Sequence, residues 1–145
     1  MNKQFFYPCS LQFYDICDHF DKHETIIWRK TSDIKKGDIV YIYISKPINE
    51  IRYKCIIVND SVDASMIEMN NYAIPKGKIS SKCQYIQLKL QIRFSPKLIT
   101  LAELKEVGVR QFMVPMHLPP EAYALFVKKE KLTINHGYGG DTDAD

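Results

Sequence analysis

The stretch IIWRKTSDIKKGDIVYIYIS, residues 26–45, decides how this chain is read. Its second half, Asp38–Ser45, is dominated by β-branched and aromatic residues, the composition of a strand. Side chains alternate across a strand, so Val40, Ile42 and Ile44 share one face and Ile39, Tyr41, Tyr43 and Ser45 the other. The turn DIKKGD, with its glycine at Gly37, starts the strand, and KPIN, residues 46–49, ends it. Ile51–Asn59 reads as the returning partner, so residues 38–59 are expected to form an antiparallel hairpin. Trp28, the single tryptophan, stands just before the turn. It fills a core, or it walls a pocket for a flat guest.

Working outward, Gln4–Tyr7 reads as a short strand stopped by Pro8. Ser10 is placed to cap a helix over Leu11–Phe20, where Leu11, Tyr14, Cys17 and Phe20 recur at helical spacing. Thr25–Arg29 is extended. Val62–Lys82, with Pro75 and Gly77 among polar residues, reads as a long connection of the kind that often carries function. Over Cys83–Phe94, Ile86, Leu88, Leu90, Ile92 and Phe94 alternate with Tyr85, Gln87, Lys89, Gln91 and Arg93, which predicts one apolar and one polar face. Thr100–Glu103 is a capping box opening a short helix that Gly108 ends. Val109–Pro115 is expected to be extended. The last helix opens at Pro119 and Pro120 and carries Ala122, Leu125, Phe126 and Lys129 along one side. Short strands with three helices around them make a small mixed α/β fold with a curled or barrel-like sheet.

The 145 residues suit one domain. Hydrophobic residues at 46% and charged ones at 26% are globular proportions and exclude a disordered chain. The net charge of +3 becomes +6 when the last nine residues, with their three aspartates, are left out, a modest basic excess compatible with a polyanion. Cys9, Cys17, Cys55 and Cys83 show no CxxC spacing, so no zinc knuckle or redox pair is indicated. The start has no secretory pattern and no apolar run is of membrane-spanning length. A soluble cytoplasmic protein with reduced thiols and no membrane contact is expected. His19 and His23 are four apart, but no third ligand and no HExxH glutamate accompany them, so two exposed histidines and no metal are expected. No nucleophile elbow and no glycine-rich phosphate loop occurs, so no catalytic residue and no cofactor is assigned.

FFYPCSLQFYD (5–15), IIWRKTSDIKKGDIVYIYISKP (26–47) and IRYKCIIV (51–58) together resemble the EVE-type domains of the PUA-like superfamily, which are related to YTH and ASCH domains. The resemblance implies a PUA-like β-pseudobarrel of five to six strands flanked by about three helices. One such domain is expected over residues 1–134, followed by a flexible polar tail over 135–145. Members bind nucleic acid, several hold an extruded modified base in an aromatic pocket, and some are fused to nucleases that restrict modified DNA. Here a nuclease effector would be a separate partner in a restriction or modification-sensing system.

Reading a mark on a base favours extruding the base, at a cost of a few kcal/mol, and stacking on an aromatic ring returns about 1–3 kcal/mol. Trp28 offers the largest face for such a platform. Tyr41 or Tyr43 can supply a second wall, Tyr43 being nearer the strand end; cross-strand packing is the other reading of both. Ser10, Asp15 and Ser45 are candidates to read the base edge, with Ser10 equally suited to plain capping. Arg29, Lys30 and Arg93 are candidates for flanking phosphates, or they form a solvated edge. Modified DNA is favoured over modified RNA as partner. Two alternatives remain. One is an ASCH-like hydrolase of modified nucleosides, for which Lys54 and Glu24 are the nominees. The other is a protein-interaction domain with a vestigial pocket.

Overall fold

The structure, a computed structural model, describes residues 3–11, 15–30, 33–63, 65 and 84–137, with the backbone alone over 134–137. In chain order the elements are β1 (Gln4–Cys9), α1 (Ile16–Lys22), β2 (Thr25–Arg29), β3 (Ile39–Ile44), β4 (Glu50–Val62), β5 (Tyr85–Arg93), α2 (Leu101–Glu106), β6 (Met116–His117) and α3 (Pro120–Gly137). The strands make one six-stranded sheet in the order β2-β5-β4-β3-β1-β6. The sheet is mixed and not closed: β1 and β3 run parallel, and every other pairing is antiparallel. This is the expected PUA-like α/β architecture, with the expected hairpin present as β3–β4. Among the described residues no helix is long and apolar enough to cross a membrane.

The KGD turn is built around its aspartate. Asp38 is buried, and its carboxylate accepts the backbone N–H of Lys3 at 3.0 Å and that of Lys35 at 2.8 Å. Gly37 takes φ +93°, where a side chain is strained, and donates its N–H to the Ile57 carbonyl at 2.8 Å. One short turn thereby ties the start of β3 to β1 and to β4.

Both faces of β3 are covered. Val40, Ile42 and Ile44 join Phe5, Tyr7, Cys9, Ile16 and Phe20 in a first core cluster, under α1. Tyr41 and Tyr43 join Phe6, Leu104, Ala122 and Phe126 in a second, under α2 and α3. Ala122 and Phe126 are the expected inner side of α3, and Lys129 on the same side pairs with Glu103 at 2.9 Å. The capping box on α2 is formed, Thr100 N–H donating to Glu103 Oε1 at 3.2 Å and Glu103 N–H to Thr100 Oγ1 at 3.3 Å. Val107 is the C-cap, and Gly108 follows it at φ +93°, in the left-handed conformation that ends the helix.

Several local expectations are corrected. β1 runs through Pro8 to Cys9; β6 pairs only with Phe5 and Phe6, so Pro8 deprives no strand partner of a donor. The first helix starts at Ile16, capped by Asp15, whose carboxylate accepts the Asp18 N–H at 3.0 Å. Ser10 is not its cap, and Leu11 packs on the first cluster instead. His19 is buried, with Nε2 2.7 Å from the Thr25 carbonyl, and only His23 is exposed. Burial holds His19 below its ordinary pKa, against the pull of that hydrogen bond. Part of the extended segment Val109–Pro115 bends, and Met116–His117 adds a strand that periodicity did not reveal. α3 reaches Gly137, into the segment assigned to the tail. Most of the long connection, with Pro75 and Gly77, lies outside the described residues, as do Cys83 and Tyr14.

The alternation of β5 conceals a change of face. Lys54 pairs with Ile92 and Cys55 with Leu90, leaving Gln91 as an extra residue. Such a bulge reverses which side each following residue takes. Ile86, Leu88 and Leu90 therefore pack in the first cluster, while Ile92 and Phe94 pack in the second. Arg93 is turned toward α1, where it binds the Phe20 carbonyl and, at 3.3 Å, Asp21. A second bulge, at Arg52, separates Tyr53 on the first face from Ile51 on the other.

A polar trio lies against the second cluster. Lys54 Nζ is 2.7 Å from Glu130 Oε1, and the Tyr41 hydroxyl donates to Glu130 Oε2 at 2.7 Å. Burial, and then the carboxylate that accepts its proton, pushes the Tyr41 phenol far above its ordinary pKa, so it stays a donor. The Lys54 and Glu130 side chains are only 19% and 14% exposed, so each charge depends on the other.

Glu130→Ala is expected to lower stability in urea unfolding by about 3–5 kcal/mol, because Lys54 is left charged without a partner. Glu130→Leu combined with Lys54→Met is expected to recover most of that loss. A double variant as weak as the single one argues against the mechanism. Acid sensitivity is expected at Glu103. Burial alone would raise its carboxyl, but hydrogen bonds from Lys129 and Thr100 outweigh burial and hold it below the ordinary value. A lowered folded-state pKa gives stability that is complete above the unfolded-state value and is lost as pH falls through the folded-state one. Melting curves of Glu103→Gln between neutral and acid pH should show a shallower acid decline than the native chain.

Candidate functional site

At the C-terminal ends of the parallel strands β1 and β3 the sheet opens into a cleft of about 490 Å³. It is lined by Ser10, which follows β1; by Tyr43 of β3; by Ser45, Lys46 and Asn49 of the β3–β4 turn; by Leu101 and Lys105 of α2; and by Phe112 and Met113 of the loop before β6. The volume is within the range of small-molecule sites, about 300–1,000 Å³.

Backbone hydrogen bonds hold these walls together. Ser45 N–H donates to the Cys9 carbonyl at 3.0 Å, fixing the two strand ends side by side. Leu101 N–H donates to the Asn49 carbonyl at 3.0 Å, and Ile51 N–H to the Ile99 carbonyl at 3.1 Å, clamping α2 to the turn. Asn49 adopts φ +56°, a conformation asparagine tolerates better than most residues. Its side-chain oxygen accepts the Tyr43 hydroxyl at 3.1 Å. Burial raises the Tyr43 pKa, which keeps that hydroxyl a donor.

The lining sorts by chemistry. Tyr43 is a floor: its ring stacks on Phe6 with centroids 5.4 Å apart and is 1% exposed. Phe112 is half-buried, with its ring 5.4 Å from Tyr43 and edge-on to Phe6 at 6.1 Å, so it lends ring surface to the wall. Ser10, Ser45 and Asn49 supply hydroxyl and amide groups. The charged lining residues, Lys46 and Lys105, are both cations and both exposed, and among the described residues no carboxylate lines the cleft.

The structure brings together Ser10, Tyr43 and Ser45 of the residues singled out from sequence, and disperses the others. Trp28 is half-buried against the first cluster, on the face opposite Tyr43, so the two do not wall one pocket. Tyr41 is fully buried and bonded to Glu130, with no ring face at the cleft. Asp15 is engaged as the cap of α1. Arg29 and Arg93 do not form one phosphate track. Arg29 pairs across from Tyr85, eight residues from Arg93, a separation of roughly 27 Å along a strand. Lys30 donates to the Asp60 carbonyl at 3.3 Å. Lys54, nominated with Glu24, pairs instead with Glu130, and none of the three lines the cleft.

Lys46, Asn49, Leu101, Lys105, Phe112 and Met113 were not legible as site residues. One signal was available: the run Phe112, Met113, Val114 places three large apolar side chains in a short irregular segment, where the first is half-buried and the next two are 75% and 44% exposed.

No family model and no curated protein sequence matches the chain. Solved structures do match. A point mutant of the ASCH protein from Zymomonas mobilis superposes with TM-score 0.62 at 15% identity, over 88% of this chain and 96% of that one. A hypothetical protein from Leishmania major gives 0.63 at 16% identity, over 92% and 98%. Human THYN1, solved in complex with DNA containing 5-methylcytosine, gives 0.60 at 16% identity, over 90% and 98%. Likeness at this level of identity is likeness of fold, and the fold of this chain is the PUA-like one that the ASCH and EVE-type domains share.

Proposed function

We propose that this chain is a nucleic-acid-binding module that receives a single extruded, modified base in the cleft beside Tyr43 and Phe112. The observation that carries the reading is the makeup of that cleft: an aromatic wall, hydroxyl and amide groups inside, and two cations at its edge with, among the described residues, no carboxylate. A base needs a flat apolar surface, a few polar groups for its edge, and positive charge for the phosphates on either side. That human THYN1, of the same fold, binds DNA containing 5-methylcytosine supports modified DNA as the first ligand to try. Phe112 takes the stacking role that sequence reasoning gave to Trp28, and Lys46 and Lys105 take the phosphate role given to Arg29 and Arg93.

The hydrolase reading has one observation behind it, the half-buried Lys54–Glu130 pair on the buried Tyr41 hydroxyl in a fold shared with ASCH proteins. Because that trio is apart from the cleft lining, binding without turnover is favoured. Incubation with modified nucleosides decides between them, and product formation would replace the reader with an enzyme.

Binding is measured with DNA duplexes that differ only in one 5-methylcytosine. Phe112→Leu keeps apolar bulk but removes the ring face, and is expected to weaken the preference for the modified strand about tenfold, the scale of one lost stacking contact. Trp28→Phe, on the opposite face, is expected to keep the preference. The reverse pattern would place the base on the other side of the sheet and end this assignment. Lys46→Ala and Lys105→Ala are each expected to weaken binding to modified and unmodified duplex alike and to reduce the log–log salt slope by about one unit.

A further inference from the structure

We infer that Met113 is a wedge that enters a duplex beside the base taken into the cleft, an assignment that rests on the base-receiving reading above. Met113 is 75% exposed, the largest exposure among the large hydrophobic side chains of the described residues, yet it belongs to the cleft wall. Val114 beside it is 44% exposed. Leaving such side chains in water gains nothing for the isolated chain, whereas burying a methionine is favourable. The knuckle is not loosely attached. Phe112, the preceding residue, is anchored against Phe6 and Tyr43, and Val109 at the base of the loop is buried, its N–H bonded to the Leu104 carbonyl at 3.0 Å.

The surroundings say what occupies this surface. Lys46 and Lys105 share the cleft lining with Met113, Arg110 is exposed three residues before it, and among the described residues no carboxylate is in the lining. An apolar tip within a cationic rim matches a base stack between phosphates better than the apolar face of a protein. Extrusion of a base leaves a gap in the stack, and apolar side chains, methionine among them, are used to unstack and fill base steps. A wedge and a receiving cleft on adjacent residues need no rearrangement to act on neighbouring positions of one strand.

The wedge and the cleft are separated by the state of the DNA. In a duplex, the gap and the unpaired partner base must be dealt with; in a single strand carrying the same 5-methylcytosine, they do not exist. Met113→Ala is expected to weaken binding to the modified duplex about tenfold, within the hydrophobic burial of one methionine, and, because Met113 also lines the cleft, to weaken binding to the modified single strand by a clearly smaller factor. Met113→Leu is expected to restore duplex binding. A 2-aminopurine placed next to the modified base should brighten with the native chain and less with Met113→Ala. The residue's exposure predicts an unchanged melting temperature, so loss of fold does not confuse the result. Equal loss on duplex and single strand, or no loss on either, overturns the wedge while leaving the cleft in place. Failure of the native chain to bind either modified DNA overturns the base-receiving reading itself. A native chain that self-associates in light scattering, with Met113→Ala monomeric, would assign the tip to a protein contact and also overturn the wedge.

Discussion

The burial of β3 on both faces is the constraint from which the rest follows. A strand with one wet face can end a sheet or tolerate a single layer of cover. Val40–Ile44 has no such face, since every side chain in it is at most 1% exposed. Helices must therefore lie on both sides, α1 over one and α2 with α3 over the other. Neighbouring strands must lie on both edges, β1 in parallel and β4 in antiparallel. The parallel neighbour has a particular consequence. Because β1 and β3 point the same way, their C-terminal ends come out together, and the segments that leave them, Ser10 and Ser45–Asn49, form the two sides of one opening.

Polar groups are admitted to this interior only where they are answered. The Asp38 carboxylate is answered by two backbone donors, and the Glu130 carboxylate by Lys54 and Tyr41. Each offsets part of the penalty for taking charge out of water, and each joins elements far apart in the chain. The bulges at Arg52 and Gln91 serve the same end by geometry. They allow β4 and β5 to contribute to one core at one end and to the other core at the other end, with Lys54 left facing Glu130.

The cleft differs from both cores in composition. Its floor is apolar and shared with the second cluster, but its walls are short polar side chains and its edge is cationic. Those differences, more than the fold, give the site its chemistry, since one fold serves many functions. Solved proteins that share this fold at 13–16% identity include ASCH proteins and human THYN1 in complex with DNA.

The sequence by itself determined the elements whose cause is local. The alternation and the KGD turn gave the β3–β4 hairpin, the capping box gave α2, and the proline start and apolar stripe gave α3. Together they sufficed for a small mixed α/β fold with three helices around a curled sheet, and the resemblance to EVE-type domains implied its PUA-like form. Ser10, Tyr43 and Ser45, singled out from the sequence, meet at the cleft because β1 and β3 end side by side; the helix start that suggested Ser10 lies at Asp15 instead. What only the tertiary structure decided was the side of the sheet each residue serves. Alternation reports that two positions share a face only while the ladder is unbroken, and a bulge leaves no mark in the pattern. Ile92 therefore parts from Leu90 without any change in the sequence period. Trp28 and Tyr43 look like neighbours in the chain but face apart, because strand order places β2 at the sheet edge and side-chain direction sets Trp28 on the first core. Lys105, Phe112 and Met113 join the site through long-range packing of α2 and its following loop on the β3–β4 turn, a contact that no spacing along the chain encodes.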